Sequence, residues 1–179
     1  MALPDIHKTR PSPKIPQNEK LLAHWVALRG DARFPRRTQF NPMQVTDLLP
    51  QLVMLEPDLP DTATIRLFGT GLARRLGIDL SNANLLALYD EERQELLREL
   101  LNFLVEHHCV VIGHSEWATP SGHRFTTENL WLPLSDEHGK VIRVLGSLWE
   151  TNVLLDANET LGGSVNTSQY LTERSYFSF

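Results

Sequence analysis

Cysteine is nearly absent from this sequence, which has one, Cys109, among its 179 residues. A single cysteine excludes a disulfide within the chain and every zinc motif built from several cysteines, and it fits a reducing compartment. Long apolar runs are also missing, although a membrane-spanning helix needs about 20 apolar residues. Proline and charge stand at the start of the chain, where a signal peptide has an apolar stretch. These absences predict a cytoplasmic protein that does not enter a membrane.

Basic side chains are outnumbered, with 17 Lys and Arg against 22 Asp and Glu, and the net charge is −5. This balance disfavours a nucleic-acid binder that works through a strongly basic surface. The charge is unevenly distributed, because residues 1–50 hold 8 basic and 4 acidic side chains. Arg33, Arg36 and Arg37 lie close together in that segment. We favour a structural or partner-docking role for them over contact with nucleic acid.

The N-terminal segment divides into an arm and a helix. Prolines recur within residues 1–17, where they block regular pairing and predict an extended arm. Asn18 is placed to cap a helix that ends near Arg29, before Gly30. Apolar residues recur at helical spacing along this helix. They are Leu21, Leu22, Trp25, Val26 and Leu28.

The middle of the chain combines β-rich runs with helical patterns. A pair of strands over 52–56 and 63–68 precedes short helical turns, for which Thr70 is the expected first N-cap. A long helix over 90–108 has acidic residues at its start and one apolar face. That face consists of Leu96, Leu97, Leu100, Leu101, Leu104 and Val105. Glycine-containing turns join three further predicted strands into an antiparallel meander, over 109–117, 124–134 and 141–149.

A glycine pair invites comparison with dinucleotide-binding loops. Gly69 and Gly71 follow a predicted strand and precede a helical turn, but Arg74 occupies the third glycine position of that motif. An anion held near Arg74 and Arg75 is the alternative, and we favour a simple turn with a helix cap.

Metal and nucleophile chemistry have candidate residues without the usual spacing. The possible metal ligands are His107, His108, Cys109, His114, His123 and His138. They lack the paired spacing of zinc sites, and helix-terminal histidines already have a favourable interaction with the helix dipole. The possible nucleophiles Ser115, Ser121 and Cys109 have no recognisable catalytic surround. We therefore expect neither a metal site nor an enzyme.

The order of these elements resembles that of the PAS domain. Residues 133–146, PLSDEHGKVIRVLG, are similar to the last PAS hairpin, which has a Pro-apolar pair, an acidic turn ending in glycine and a glycine in the final strand. Further motifs resemble a bacterial subfamily of small, stand-alone PAS proteins. These motifs are Trp25, FPRRTQFNP over 34–42, LLP over 48–50, RLFGT over 66–70 and LG over 76–77.

The resemblance covers about residues 18–151 and implies the α+β PAS fold. This fold has a five-stranded antiparallel sheet with short helices and one long helix on one face, plus the N-terminal helix. Residues 1–17 then form an extended N-terminal arm, and residues 152–179 form a polar C-terminal tail that either docks or stays free. A kinase or DNA-binding output domain does not fit in the remaining residues, so we expect a signal to leave through protein contact.

The resemblance also bears on cofactors. Light-sensing flavin PAS domains have a reactive cysteine in the short helices before the long one, and residues 69–89 contain no cysteine. Haem-binding PAS domains take an axial histidine from the long helix, and residues 90–106 contain no histidine. We therefore expect no cofactor of either kind.

A ligand position remains between the sheet and the helices, where PAS domains usually bind ligands. Alternation along residues 125–131, together with the resemblance, turns one side-chain set inward. The ligand-binding candidates are Thr127, Asn129, Trp131, Val144 and Leu148. An unpaired, buried Asn129 would cost about 1–3 kcal/mol, so it needs partners. Those partners are either a ligand or neighbouring side chains and water in a filled core, and the sequence leaves both open.

These observations predict a sensory PAS domain that binds a small, mostly apolar ligand and relays a signal to a protein partner. The alternative is a ligand-free interaction or dimerisation module whose pocket is filled by side chains. An enzyme of small acidic metabolites is the third hypothesis and the weakest. PAS domains commonly pair through the N-terminal helix, so we expect a homodimer with Leu21, Leu22, Trp25 and Val26 at its interface.

Overall fold

The computed structural model describes residues 6–107, 109–118, 124–151 and 169–178. Its α-helices there are α1 (Pro16–Arg29), α2 (Thr70–Leu76) and α3 (Glu91–Glu106), and short 3₁₀ turns connect α1 to the sheet. The strands are β1 (Ile6–His7), β2 (Leu52–Asp58), β3 (Thr62–Phe68), β4 (Val110–Ala118), β5 (Arg124–Ser135), β6 (Val141–Glu150) and β7 (Gln169–Phe177). None of these helices is long and apolar enough to cross a bilayer.

The strands form one sheet in the order β1-β7-β4-β5-β6-β2-β3. All neighbours pair antiparallel except β1 and β7, which pair in parallel. The five predicted strands correspond to β2 through β6, and each predicted end lies within two residues of the observed one. Period-two alternation and the glycine turns are local signals, which is why these strands could be placed from the sequence.

The described sheet has seven strands, so the expectation of five was wrong. Strand β7 comes from the segment interpreted as a polar tail, and it pairs with β4 from Val110↔Phe177 to Trp117↔Gln169. Strand β1 comes from the N-terminal arm and pairs with the end of β7. In a five-stranded sheet β4 would be an exposed edge with unpaired backbone groups, and β7 covers that edge.

Helix α1 packs on one face of the sheet, which we call the outer face. Leu21, Leu22 and Trp25 are at most 1% exposed, and they share an apolar cluster with Leu130 and Leu132 of β5. The Trp25 indole nitrogen donates a hydrogen bond to the Pro133 carbonyl oxygen at 2.9 Å. Burying side chains of this size contributes about 1.5–3 kcal/mol each as an upper estimate. The apolar cluster on the outer face is thus a second hydrophobic core, in addition to the core beneath the other helices.

The residues predicted to form the dimer interface pack against the sheet of their own chain. The side chains of Leu21, Leu22 and Trp25 are covered by the sheet of their own chain, and Val26 packs against the same cluster. The sequence shows an apolar helix face but not whether a sheet of the same chain or a second chain covers it. Leu21, Leu22 and Trp25 are therefore already buried within one chain, and the homodimer stays a prediction.

A buried carboxylate on β5 holds the start of α1. Glu128 is 1% exposed and accepts hydrogen bonds from the backbone N–H groups of Lys14 and Ile15, at 2.8 and 3.1 Å. The Asn18 amide donates to the same carboxylate at 2.9 Å, and its oxygen accepts from the Ser147 hydroxyl. Asn18 was expected to cap α1, but the helix begins earlier, at Pro16. The N-cap is Ile15, whose backbone N–H donates to Glu128 of β5, and local sequence patterns could not show this long-range contact.

Helices α2 and α3 cover the opposite, inner face of the sheet. Helix α2 begins at Thr70 with Gly69 as its N-cap, where Thr70 was expected to be the cap. A Cβ at Gly69 would lie 2.3 Å from the Pro50 carbonyl oxygen, so this junction requires glycine. On α3, Leu96 is 44% exposed although it was expected in the apolar face, and Phe103 is buried instead. Phe103 packs edge-to-face on Tyr176 of β7, with ring centroids 4.5 Å apart.

We expect Glu128→Leu to lower the free energy of unfolding by at least about 3 kcal/mol, because it leaves the Lys14 and Ile15 N–H groups without their acceptor and removes one of the two acceptors of the Asn18 amide. Glu116→Gln is the control, since Glu116 lies on β4 in a solvent-exposed ion pair with Arg124. That control should change stability by less than about 1 kcal/mol. Urea unfolding followed by circular dichroism measures both. Equal stability of Glu128→Leu and the wild type would contradict the assignment.

Candidate functional site on the inner face of the sheet

The five ligand-binding candidates lie together on two adjacent strands. Thr127, Asn129 and Trp131 belong to β5, and Asn129 stands opposite Leu148 of β6 in the register. Val144 belongs to the core cluster that includes residues of α2 and α3, and Trp131 and Leu148 pack against that cluster. The structure therefore brings these residues together under the helices. Their role in binding a ligand stays a prediction.

A chain of four side chains joins the polar groups of this face. The Trp117 indole nitrogen donates to the Thr127 hydroxyl oxygen at 3.0 Å. The Thr127 hydroxyl donates to the side-chain amide oxygen of Asn129 at 2.9 Å, and the Asn129 side-chain nitrogen donates to the Ser115 hydroxyl oxygen at 2.8 Å. Three hydrogen bonds thus connect the four side chains, and all four residues are buried. We call this series the polar relay.

The polar relay shows which neighbouring groups bond to Asn129, whose partners the sequence left open between a ligand and the core. Thr127 and Asn129 have partners within the chain, so neither needs a ligand to avoid an unpaired polar group. An asparagine amide nitrogen has two hydrogens, however, and in the described part of the chain one of them is donated, to Ser115. The arrangement is compatible with a filled core and with a ligand that accepts the second hydrogen.

Two members of the relay, Ser115 and Trp117, were not among the predicted ligand-binding residues. Both lie on β4, and Ser115 stands opposite Thr127 in the register between β4 and β5. The signal was available, because residues two apart in a strand share a face and β4 was predicted. Alternation along β4 therefore places Ser115 and Trp117 on one face of the sheet.

Aromatic rings occupy much of the surface around the relay. Trp117 and Phe125 stack with centroids 6.1 Å apart and an interplanar angle of 7°. The Trp131 indole lies over Gly146, where a Cβ would come within 2.4 Å of a ring carbon. Trp131 and Leu148 nevertheless remain only partly buried, although they lie on the covered face. An accessible apolar surface therefore adjoins the polar relay.

One charged pair lies at the rim of this region. Arg75 of α2 donates to the Glu150 carboxylate at 2.7 Å, and its guanidinium lies 5.8 Å from the centre of the Phe125 ring. Both side chains are about one fifth exposed, at 20% and 22%. The Arg75 charge is thus already matched by Glu150, and the relay itself is made of neutral groups.

The candidate nucleophiles and metal ligands do not form a common site among the described residues. Burial raises the pKa of the Cys109 thiol to about 12, so this thiol is protonated and a poor nucleophile at neutral pH. His107 packs against Phe103, His114 lies 3.7 Å from Glu128 and His138 lies 3.6 Å from Glu137. No group of three possible metal ligands occurs among the described residues. His108, Ser121 and His123 lie outside those residues.

We expect Gly146→Ala to lower the free energy of unfolding by about 1–3 kcal/mol, because the new methyl group displaces the Trp131 indole and the Val53 side chain. In a Trp131→Leu background the same substitution should cost less, since the indole that it displaces is gone. Chemical denaturation of the four proteins in this cycle measures the coupling. Additive effects would show that Trp131 does not lie over Gly146.

Comparison with curated proteins finds no match. Among solved structures, the chain is similar to an RNA-binding light-oxygen-voltage receptor, with 15% identity, a TM-score of 0.47, 61% of this chain covered and 33% of that chain. It therefore spans about a third of that receptor's length. A light-oxygen-voltage domain studied with a flavin analogue has 18% identity, a TM-score of 0.47, and coverage of 62% of this chain and 84% of that chain. The dark structure of the Aureochrome1 blue-light photoreceptor domain has 15% identity, a TM-score of 0.46, and coverage of 64% and 85%.

The family assignment rests on a different comparison. The family model described as PAS domain matches residues 13–149, which include α1 and strands β2 to β6 up to Trp149. This range exceeds half of the chain. The chain belongs to the PAS domain family.

Proposed function

We propose that this PAS domain is sensory, binds a small and mostly apolar ligand on the inner face, and relays the signal by protein contact. The observation that supports this most directly is the partly accessible surface of Trp131 and Leu148 beside the buried polar relay. Ligand sites typically combine apolar walls with a few placed polar groups. Asn129 is the polar anchor in this proposal, through the second hydrogen of its amide.

The ligand should be neutral. The relay consists of an indole, two hydroxyl groups and an amide, none of which is charged at neutral pH. The nearby Arg75 is held by Glu150, so a carboxylate would have to displace Glu150 or stay without a counter-charge. Burying an unpaired charge costs far more than burying a hydrogen-bonded neutral group.

A thermal-shift screen tests this specificity. Neutral apolar compounds with one hydrogen-bond acceptor should raise the melting temperature of the wild type, and carboxylates of similar size should not. Asn129→Leu should abolish the gain, because it removes the amide that donates to the ligand. Asn102→Leu is the matched control, since Asn102 is exposed on α3 and should leave the gain unchanged.

Stabilisation by carboxylates that persists in Asn129→Leu would mean that both the neutral ligand class and the anchor are wrong. Each variant is compared with its own ligand-free melting temperature, so a change in intrinsic stability does not enter. Ser115→Ala provides a second variant, because it keeps the Asn129 amide and frees its donated hydrogen. This variant should retain binding of the neutral compounds.

A ligand-free interaction module is the second candidate function. It is supported by the internal partners of Thr127 and Asn129 and by the Trp131 ring that fills the space over Gly146. In this case the inner face is a core, and the domain acts only through its surface.

Native mass spectrometry of protein purified from its own host separates the two candidates. The sensory proposal expects a mass above that of the chain alone, which returns to the chain mass after denaturation. Asn129→Leu, purified in the same way, should lose the added mass, and Asn102→Leu should keep it. A wild-type mass equal to that of the chain would favour the interaction module.

A further inference from the structure

A cleft on the surface lies apart from the inner face. It has a volume of about 470 Å³ and lies between the segment that follows α1 and the turn that joins β5 to β6. One wall contains Arg29, Arg33 and Arg36, and the other is formed by residues 135–139. Three arginines thus converge on one concave surface of a chain whose net charge is −5.

Hydrogen bonds hold the arginine wall in place. The Gln39 amide donates to the Leu28 carbonyl oxygen at 3.0 Å and accepts from the Arg36 backbone N–H at 2.6 Å. The Ser135 backbone N–H donates to the Pro35 carbonyl oxygen at 2.9 Å, and Arg36 forms a parallel bridge with Ser135. The segment is therefore tied to both α1 and β5, and the cleft is formed before anything binds in it.

The acidic side chains of one wall have partners within the turn, whereas two arginines of the other wall form no ion pair in the described part of the chain. On the turn, one Asp136 carboxylate oxygen accepts from the backbone N–H groups of His138 and Lys140, each at 2.9 Å. Glu137 lies 3.6 Å from the His138 ring. Within the described residues, no carboxylate forms an ion pair with Arg33 or Arg36, and both of these side chains are exposed. The arginine wall is therefore the part of the cleft that is open to an anion.

We propose that this cleft binds an acidic segment of a partner protein, through carboxylates that pair with Arg33 and Arg36. This inference rests on the proposed relay by protein contact and names the chemistry of the partner. Arginine presents a planar fork that matches a carboxylate, which favours bidentate pairing. Small metabolites are usually buried over most of their surface, and the exposed rim at Arg33, Arg36 and residues 137–139 cannot provide this. Side chains projecting from a larger partner suit such an open cleft.

Fluorescence polarisation with a labelled hexaglutamate peptide tests the proposal. The wild type should bind this peptide at low ionic strength, bind the matching hexaglutamine peptide much more weakly, and lose affinity as salt is added. Arg33→Gln combined with Arg36→Gln should weaken binding by about tenfold or more, because two charge-assisted contacts are lost. Arg74→Gln combined with Arg124→Gln changes the net charge equally at exposed positions elsewhere, and should stay within about twofold of the wild type.

Several outcomes would overturn the proposal. Equal loss in the two double variants would show a non-specific charge effect, and equal binding of the two peptides would show no acidic site. Glutarate and inorganic phosphate are added as competitors, and displacement of the peptide at equimolar concentration would assign the cleft to a small anion instead. Melting temperatures of the double variants near that of the wild type exclude unfolding as the cause of lost binding.

The experiment also separates this inference from the proposed sensory function. Asn129→Leu lies on the inner face and should leave hexaglutamate binding unchanged. Peptide binding by a chain that no neutral compound of the thermal-shift screen stabilises would count against ligand sensing and leave the cleft proposal intact. An inner-face ligand without peptide binding would refute the cleft and leave ligand sensing intact.

Discussion

The structure depends on one buried anion, the carboxylate of Glu128. A carboxylate at 1% exposure loses its hydration, which costs several kcal/mol unless donors replace the water. Here two backbone N–H groups and the Asn18 amide replace it, and all three belong to the start of α1 or the residues before it. The anion and the helix therefore require each other. Without α1, the outer-face leucines would be exposed to solvent and the Glu128 carboxylate would lose its hydrogen-bond donors. The N-terminal helix is therefore part of this fold.

The position of α1 follows from two anchors on β5. Ile15 bonds to Glu128 and Trp25 bonds to the Pro133 carbonyl oxygen. Five strand residues span about 17 Å at 3.3 Å per residue. Ten helix residues span about 15 Å at 1.5 Å per residue. The two lengths agree, so α1 runs alongside β5 in the same direction. The apolar side chains between these anchors then face the strand along most of the helix.

Local patterns predicted strands β2 to β6, the long helix and the glycine after α1, because alternation, helical spacing and turn residues are properties of neighbours in sequence. Long-range pairing was not predictable in this way. Strand β7 joins β4 from a segment far along the chain, and Glu128 binds the backbone of Ile15, 113 residues away, just before α1. The apolar face of α1 was predicted correctly, but its burial against the sheet of the same chain was not. The sequence also placed Thr127 and Asn129 without their partners on β4, since the register between strands is not a local property.

Strand β5 connects the three features on which the proposed function depends. Asn129 points to the inner face, and the adjacent Glu128 holds α1 on the outer face. Ser135, at the end of the same strand, belongs to the cleft wall that faces the arginine wall. Glu128 is one peptide unit from Asn129, whereas Ser135 is six residues away, or about 20 Å along the strand. Strands β4 and β6 pair with β5 on both sides, which resists a shift of the whole strand. A displacement at Asn129 would therefore reach the anchor of α1 before it reached the cleft, and α1 is the element through which the inner face most directly contacts the outer surface.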